Sequence, residues 1–251
     1  MHADSVISAK KDNAGAASGG AADGRQEFED FIYLISHDVR ASVRALLELP
    51  QWIAEDLETA GIKVEGQVAQ SINLMNRHTG RLDRMLVDLL TYSRIGRMQA
   101  TTSVDLDAAL AQVLDAAKVP PGFEVVQSLE WPALTIGEHD VLTLLSALIS
   151  NGIKHHDKAT GRLIVTSRRD GAQVVLAVSD DGPGIEEAFA DRVFGAMTTL
   201  KPRDEVEGSG MGLACVRKIA GLYNGQATVL SSPYGRGTMV EVRIGDQVKP
   251  A

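Results

Sequence analysis

The 251-residue sequence predicts two dissimilar domains in series. The first is an all-α antiparallel helical hairpin that forms a dimeric four-helix bundle, and the second is an α+β sandwich. Three observations predict this fold class. Apolar residues recur in alternating steps of four and three over the first third of the chain, two glycines interrupt that series, and mixed helical and alternating segments follow it.

The apolar series defines the two helices of the hairpin. A break at Gly61 and Gly66 separates them, as expected where one helix ends and the next begins. Pro50 lies inside the first helix, where it predicts a bend, because a proline removes one backbone hydrogen bond. The series consists of Phe28, Ile32, Ile35, Val39, Leu46, Leu49 and Ile53 in the first helix and Val68, Ile72, Met75, Leu82, Leu86 and Leu89 in the second.

His37 lies midway between two members of this series, Ile35 and Val39. Each helical residue turns by about 100°, so His37 points away from the seam that those residues define. The helix therefore is predicted to bury Ile35, Val39 and Leu46, together with Ile32, and to present His37 and Asp38 to solvent.

After about residue 100 the pattern changes to that of an α+β domain. Helices are predicted at 105–118, 141–156 and 210–225, and strands lie between and after them, including a pair joined by an Asp-Gly turn. We assign a disordered tail to 1–25, the hairpin to 26–99, a linker to 100–104 and the second domain to 105–247.

Composition excludes several functions. The net charge of −8 argues against a nucleic-acid partner, which requires a basic surface. The single cysteine, Cys215, forms no disulfide framework and is expected to be buried and inert. No apolar run of about 18 residues and no signal peptide are present, which predicts a cytoplasmic protein without a membrane partner.

Three polar or glycine-rich segments of the second domain carry the candidate chemistry. Asn151 and Lys154 lie on one helix face, where an amide oxygen suits Mg²⁺ and an ammonium suits phosphate. Asp180 follows a strand and precedes Gly182 and Gly184. A third segment opens a helix, whose N-terminus favours anions, with Gly208, Gly210 and Gly212.

Each segment alone has an ordinary interpretation: a polar stripe, a plain turn or a glycine-rich loop. A dinucleotide-binding interpretation of the glycines fails, because no strand precedes them. In this order and spacing, however, the three segments resemble the Bergerat ATP-binding fold. With "SHDVR" upstream, residues 28–247 resemble a sensor histidine kinase transmitter, most closely of the phytochrome-like branch.

The resemblance implies a role for each matching residue. His37 corresponds to the phosphoacceptor, Asp38 to the adjacent acid and Arg40 to the basic residue of the same motif. Asn151 corresponds to the Mg²⁺ ligand and Lys154 to the phosphate-facing lysine. The predicted ATP-binding set is completed by Asp180, which corresponds to the adenine-reading residue, by Phe194 of a lid at about 186–207, and by Gly182, Gly184, Gly208, Gly210, Met211, Gly212 and Leu213.

Three positions depart from the family pattern. Ser42 stands where a proline is usual, so the kink beside the histidine is expected to be weaker. Ala41 replaces a residue that orients water for dephosphorylation, which predicts weak phosphatase activity. Ala147 replaces an asparagine one turn before the metal ligand, which puts metal affinity in question.

The resemblance implies an ATP- and Mg²⁺-dependent histidine kinase that works as a homodimer. It would phosphorylate His37 and transfer the phosphoryl group to an aspartate of a response-regulator receiver. The signal is expected from a separate sensor protein, unless the chain is part of a longer one. The alternatives are a phosphotransfer adaptor with a degenerate ATP domain and another ATPase of the same fold.

Lys201 and Arg203 are further candidates for phosphate binding. His155 and His156 are interpreted as ordinary residues of a helix end.

Overall fold

The computed structural model describes residues 33–35, 38–97, 99–201 and 208–245. The predicted tail and His37 lie outside these residues. The chain divides into two compact units, one up to Ser93 and one from Arg94 onward. The described residues of the first unit are helical apart from the connection at 60–65, and the strands belong to the second unit. The predicted helical region followed by an α/β domain is therefore confirmed.

The first unit is a helical hairpin. Helix α1 is helical at 33–35 and 38–59, and α2 spans Gly66–Arg94. Gly61 ends α1 at a φ of +75°, where the Ile62 N–H donates to the Leu57 carbonyl at 2.9 Å, as in a glycine-capped helix end. Near the other end of α1, Arg40 Nε lies 3.8 Å from Asp83 Oδ1 of α2. This pairing makes the two helices antiparallel, as predicted.

The face of α1 that is buried differs from the prediction. Ile35, Val39 and Leu46 are 44%, 38% and 44% exposed in the single chain, whereas Val43 is 1% exposed and Pro50 is buried within the helix. The buried stripe lies one residue, about 100°, around the helix from the predicted one. Within the single chain α2 covers the neighbouring stripe, so burial of the heptad series of α1 in a dimeric bundle stays a prediction.

The second unit contains a five-stranded sheet and a two-stranded sheet. The larger sheet has the order β2-β4-β5-β7-β6, in which β2 and β4 are parallel and the other neighbours are antiparallel. The elements are β1 (Thr101–Asp105), α3 (Leu106–Ala117), β2 (Phe123–Leu129), β3 (Ala133–Gly137), α4 (Glu138–Lys154), β4 (Gly161–Asp170), β5 (Gln173–Asp180), α5 (Gly212–Leu222), β6 (Gln226–Ser231) and β7 (Thr238–Gly245).

Helices α4 and α5 pack on one face of the larger sheet. Strand β5 is buried along nearly its whole length, and in β7 every second residue is buried. Ion pairs link Arg168 to Glu241 and Arg243 to Asp170 across β4 and β7. The layering therefore agrees with the predicted sandwich, and the predicted turn between β4 and β5 is present at Gly171.

Strand β1 occupies the segment assigned to a linker. It pairs antiparallel with β3, from Thr101 opposite Gly137 to Asp105 opposite Ala133. Only Val104 of this strand is partly buried. A strand without an alternating apolar side chain has no period-two signal, which is why the sequence did not predict it.

Within the described parts of the chain, no helix is both long and apolar enough to cross a lipid bilayer.

Candidate functional site

The C-terminal turn of α4 brings Asn151 and Lys154 to the end of β5. Gly152, between them, is buried, and a Cβ built on it would lie 3.6 Å from Asp180 Cβ and would collide with the Leu163 side chain. The missing side chain therefore allows α4 to approach the sheet closely at this point. Sequence reasoning did not single out Gly152, since a lone glycine in a helix has no specific signal.

Asp180 is held by two backbone donors. Its Oδ1 accepts hydrogen bonds from Gly182 N at 2.9 Å and from Thr238 N at 3.0 Å. Partial burial raises the pKa of Asp180 above its usual value, and these two N–H groups oppose that rise. Because both bonds use Oδ1, the arrangement orients the carboxylate and leaves Oδ2 for a ligand.

The glycines of the site fall into two groups. Gly184 and Gly210 have φ values of +84° and +75°, and a Cβ on Gly210 would lie 2.5 Å from the Thr198 carbonyl oxygen. The backbone itself therefore requires glycine at these two positions. At Gly208 and Gly212 a Cβ would meet nothing closer than 3.7 Å, so their small size serves something other than the protein's own packing.

The N-terminus of α5 faces the same region. A Cβ on its first residue, Gly212, would lie 3.7 Å from Ala147, one turn before Asn151 on α4. No side chain caps this helix, which leaves its first N–H groups available for an anion. Met211 and Leu213, which flank Gly212, are buried and so anchor the helix start.

Phe194 closes the other side of α5. It is buried, and the guanidinium carbon of Arg217 lies 4.5 Å from its ring centroid. Arg217 also forms an ion pair with Asp191, which lies between two short 3₁₀ turns at Glu187–Phe189 and Arg192–Phe194. These contacts fix the base of the predicted lid. Of that lid, the described residues run to Lys201, and Arg203 lies outside them.

His155 follows α4 and lies within electrostatic range of the site. Burial lowers the pKa of His155, as do the positive charges of Lys201 and Lys154, whereas Asp180 opposes this shift. A helix C-terminus favours a cation, but burial and the two lysines outweigh this preference, so His155 is neutral at neutral pH.

His156 and the β6–β7 turn pack against the segment formed by Asp180 and Asp181. The His156 side chain is 1% exposed, and its Nε2 lies 3.1 Å from Oδ1 of Asp181. Gly237, at a φ of +100°, lies so close that a Cβ would collide with the Asp180 carbonyl oxygen. Sequence reasoning missed both contacts, since they join segments far apart in the chain, although "GRG" before a strand was a turn signal for Gly237.

The segment predicted to contain the phosphoacceptor lies in the first unit. Asp38 is exposed, and Arg40 is half-buried beside Asp83, whereas His37 itself is outside the described residues. Among the residues that the structure describes, no cluster of three or more His, Cys, Asp or Glu side chains could hold a metal ion.

The site therefore combines α4, the end of β5 and the N-terminus of α5 around an oriented carboxylate and an anion-binding helix end. These features define an ATP-binding domain of the Bergerat type. Residues 137–247 match the family of histidine kinase-, DNA gyrase B- and HSP90-like ATPases.

Similar proteins extend this likeness to the helical hairpin. Methanogenesis regulatory histidine kinase FilI of Methanothrix harundinacea is 29% identical over 221 residues, which are 85% of this chain and 24% of FilI. Sensor-like histidine kinase SenX3 of Mycobacterium tuberculosis is 30% identical over 217 residues, 81% of this chain and 50% of SenX3. Phytochrome-like protein Cph1 of Synechocystis is 25% identical over 215 residues, 84% of this chain and 28% of Cph1.

Solved structures share the fold. Full-length ShkA in complex with AMPPNP superposes with a TM-score of 0.64 at 20% identity, over 88% of this chain and 47% of ShkA. Histidine kinase ThkA in complex with response regulator TrrA gives 0.59 at 16% identity, over 89% of this chain and 64% of that chain. Residues 137–247 therefore belong to this ATPase family, and over 81–85% of its length the chain is similar to histidine kinases. It spans between 24% and 50% of the length of these curated relatives.

Proposed function

We propose that this chain is a homodimeric, ATP-dependent protein histidine kinase that phosphorylates His37 and transfers the phosphoryl group to an aspartate of a response-regulator receiver. The observation that carries the proposal is the convergence of Asn151, Asp180 and the start of α5 at one end of α4. The helical hairpin that bears His37 in the same chain supplies the acceptor.

The adenine of ATP would bind at Asp180. The free Oδ2 would accept a hydrogen bond from the exocyclic amine of adenine, while Gly182 N and Thr238 N keep the carboxylate in place. This orientation is set before the nucleotide arrives, so little ordering is required on binding.

The phosphates would bind between α4 and α5. The uncapped N–H groups of α5 offer donors and a favourable dipole, and Lys154 and Lys201, which both lower the pKa of His155, supply positive charge. A neutral His155 adds no charge but leaves one ring nitrogen as an acceptor. The absence of a side chain at Gly208 and Gly212 suits a ligand that approaches the backbone.

A magnesium ion fits this donor set only together with the nucleotide. Asn151 offers one amide oxygen, and magnesium is commonly held by one or two side chains plus substrate phosphates. The described residues contain no acidic cluster that would bind the ion alone, which is consistent with this mode. The ion would neutralise charge on the transferring phosphoryl group.

Dimerisation is supported by the apolar stripe that the hairpin leaves uncovered. Large apolar side chains on α1 and α2 are between 38% and 45% exposed although α2 already covers the neighbouring stripe of α1. Two adjacent stripes are what a four-helix bundle requires, one facing the hairpin partner and one facing the second copy. The uncovered residues are Ile35, Val39, Leu46, Leu49 and Ile53 on α1 and Val68, Met75 and Leu82 on α2.

Phosphotransfer would follow at the same histidine. A receiver partner is supported by the likeness to ThkA, which was crystallised with a response regulator. Asp38 is exposed and adjoins His37 in the sequence. Asp38 would hydrogen-bond one nitrogen of the His37 imidazole and orient the ring so that its other nitrogen attacks the γ-phosphate of ATP. With Ala41 exposed one turn further on, no side chain at that position can orient water, so we propose weak phosphatase activity.

The test is labelling with radioactive ATP, using wild type, His37→Gln and the matched control His78→Gln, a histidine exposed on α2. Wild type and His78→Gln should take up label, and His37→Gln should not, while all three bind a fluorescent ATP analogue. Label on His37→Gln at the wild-type level would contradict the assignment of the acceptor.

The same preparations test the adaptor alternative. An adaptor with a degenerate domain would bind no nucleotide, even as wild type. In a kinase, the wild type should bind the ATP analogue and Asp180→Asn should bind it more weakly. Mixing labelled wild type with candidate receivers then measures transfer and, from the lifetime of the receiver phosphate, phosphatase activity.

A further inference from the structure

In the second unit, which we call the catalytic unit, the imidazole of His156 is enclosed beside the candidate nucleotide site. The side chain is 1% exposed, and its ring meets the Phe123 ring edge-on at 5.2 Å between centroids. A Cβ on Gly161 would lie 2.7 Å from His156 Nε2, and a Cβ on Gly182 would lie 3.3 Å from His156 Cδ2. Two glycines therefore make the room that this ring occupies.

Both nitrogens of the ring have polar neighbours. His156 Nε2 lies 3.1 Å from Asp181 Oδ1, and Nδ1 lies 3.1 Å from the nitrogen and 3.2 Å from the carbonyl oxygen of Lys158. Asp181 Oδ1 also accepts a hydrogen bond from Arg162 N at 2.7 Å. The Arg162 N–H and, after it, His156 lower the pKa of Asp181, so its carboxyl group is ionised at neutral pH. An ionised carboxylate only accepts hydrogen bonds, which makes His156 Nε2 the donor.

The bond from His156 fixes the segment that contains Asp180. Asp181 lies between Asp180 and Gly182 in the chain, and Gly182 N is one of the two donors to Asp180 Oδ1. Asp181 is itself tied to the end of α4 by His156 and to the start of β4 by Arg162. Because Asp181 is held from two elements, both the Asp180 carboxylate and its Gly182 donor are held with it.

The second donor to Asp180 is tied to the same end of α4. Asp157, the neighbour of His156, accepts a hydrogen bond from Arg236 Nη2 at 2.9 Å, and Arg236 lies two residues before Thr238, whose N–H is that donor. Both side chains of this ion pair are about 40% exposed, so solvent screens it. The enclosed bond from His156 is therefore the stronger of the two links.

We propose that His156 is a positioning residue for adenine selectivity, which through Asp181 holds Asp180 so that Oδ2 faces the exocyclic amine of the base. The inference rests on the proposed binding of adenine at Asp180 and deepens it. It assigns His156 no contact with the nucleotide. The Asp157–Arg236 pair assists by holding the turn that leads to Thr238.

This role predicts a selective effect on binding. A hydrogen bond between the amine and the carboxylate depends on the orientation of both groups, whereas the phosphate contacts at α5 do not involve Asp180. A displaced Asp180 therefore weakens the binding of adenine nucleotides. It leaves unchanged the binding of a purine nucleotide that has no amine, since such a base gains nothing from the carboxylate.

The test compares ADP with purine riboside 5′-diphosphate, which differ only in the exocyclic amine, by calorimetric titration of the full chain. In His156→Asn the shorter side chain does not reach Asp181, whereas in His156→Gln the terminal amide places a donor near the position of Nε2. The matched control is His139→Asn, at an exposed position of the same helix. Asp180→Asn serves as the reference for lost adenine recognition.

Wild type should prefer ADP by about tenfold or more, as expected for a hydrogen bond to a charged group. His156→Asn should lower this preference at least about threefold, through weaker ADP binding alone. His156→Gln should restore it to within about twofold of wild type, and His139→Asn should match wild type. The titration also counts binding sites, so partial unfolding lowers their number and not the preference.

Asp181→Ala keeps the proposal testable if His156→Asn does not fold, because it removes the acceptor from a half-exposed position. It should lower the preference to a similar extent. An unchanged preference in these variants, an equal loss of affinity for both nucleotides, or a failure of His156→Gln to restore the preference would overturn the role of His156. A wild type without preference, or an Asp180→Asn variant that keeps it, would overturn the assignment of adenine to Asp180 and the role of His156 with it.

Discussion

The two units of this chain complete their cores to very different degrees. In the catalytic unit the helices cover the sheet, and β5 is buried along nearly its whole length. In the hairpin, α1 buries Val43 and Pro50 but leaves a second apolar stripe uncovered. The comparison teaches that the ATP-binding unit covers its own core within one chain, whereas the hairpin leaves an apolar surface that the proposed dimer would cover.

The largest expected effect separates the two units directly. Leu144→Ala empties a fully buried position on α4 and should lower the free energy of unfolding of the catalytic unit by about 2–5 kcal/mol. That loss should be the same at every protein concentration. Leu46→Ala, on the uncovered stripe of α1, should instead lower the midpoint of the hairpin transition by an amount that depends on concentration.

Thermal unfolding of the full chain, followed at several concentrations over a hundredfold range, checks both variants. A Leu46→Ala effect that did not change with concentration would break the comparison, since the stripe would then be ordinary surface.

A second variant pair sharpens the comparison inside the catalytic unit. Gly235 and Gly237 both have positive φ values, +88° and +100°, but only a Cβ on Gly237 meets the backbone of Asp180. Gly235→Ala should cost about 1 kcal/mol of stability from backbone strain. Gly237→Ala should cost about 1–3 kcal/mol more from overpacking.

The pair is measured by chemical denaturation and by titration with a fluorescent ATP analogue. Only Gly237→Ala should weaken nucleotide binding, because it displaces the strand end that carries Asp180. Equal behaviour of the two variants would mean that the turn does not support the site.

An alkaline titration probes the buried pair of Asp140 and Tyr223 at the N-terminal end of α4. Burial, followed by the hydrogen bond to Asp140, raises the pKa of Tyr223 to about 12, against 10.0 for a free tyrosine. The folded state therefore holds the phenolic proton more tightly than the unfolded state. The resulting stability is fully present below pH 10 and is lost as the pH rises to about 12.

The readout is the difference in unfolding midpoint between wild type and Tyr223→Phe across this interval. It should shrink as the pH rises, whereas the hairpin transition should be the same in both proteins. A constant difference would show that the tyrosine contributes packing alone.

The smallest effect is expected on the sheet surface. Arg162 and Glu124 form an ion pair at 2.8 Å between β4 and β2, with both side chains more than half exposed. Glu124→Gln should change stability by about 0–1 kcal/mol, because such pairs are screened by solvent. Denaturation in low and high salt measures it, and a larger, salt-insensitive loss would mean that the edge of the sheet is more enclosed than its exposure implies.

The structural features that could be predicted from the sequence are those that a few neighbouring residues determine. The glycine cap at Gly61 and the hairpin between β4 and β5 depend on a few neighbouring residues, and both were found where they were expected. Strand β1 was missed because its residues are polar and its evidence lies in β3, some thirty residues away. The lowered pKa of His155 could not be predicted for a related reason, since its helix was visible in the sequence but its burial and the nearby Lys201 were not.

The candidate site shows the same division. Asn151, Asp180 and the glycines were identified by order and spacing, which one sequence displays. The groups that hold Asp180, namely Thr238 and Gly237, follow it by more than fifty residues and depend on the strand order β5-β7-β6. Spacing along the chain does not reveal such neighbours, because they are created by the sheet.

The parallel pairing of β2 with β4 has a consequence for the order of folding during synthesis. Phe123 lies opposite Gly161, so the pair closes only after α4 has been made between them. Contacts that distant in sequence form slowly, whereas those across the Gly61 turn are local and form fast. During synthesis the hairpin can therefore form well before the sheet of the second unit closes. In the proposed dimer, pairing of two hairpins and completion of the ATPase domain would then be events separated in time.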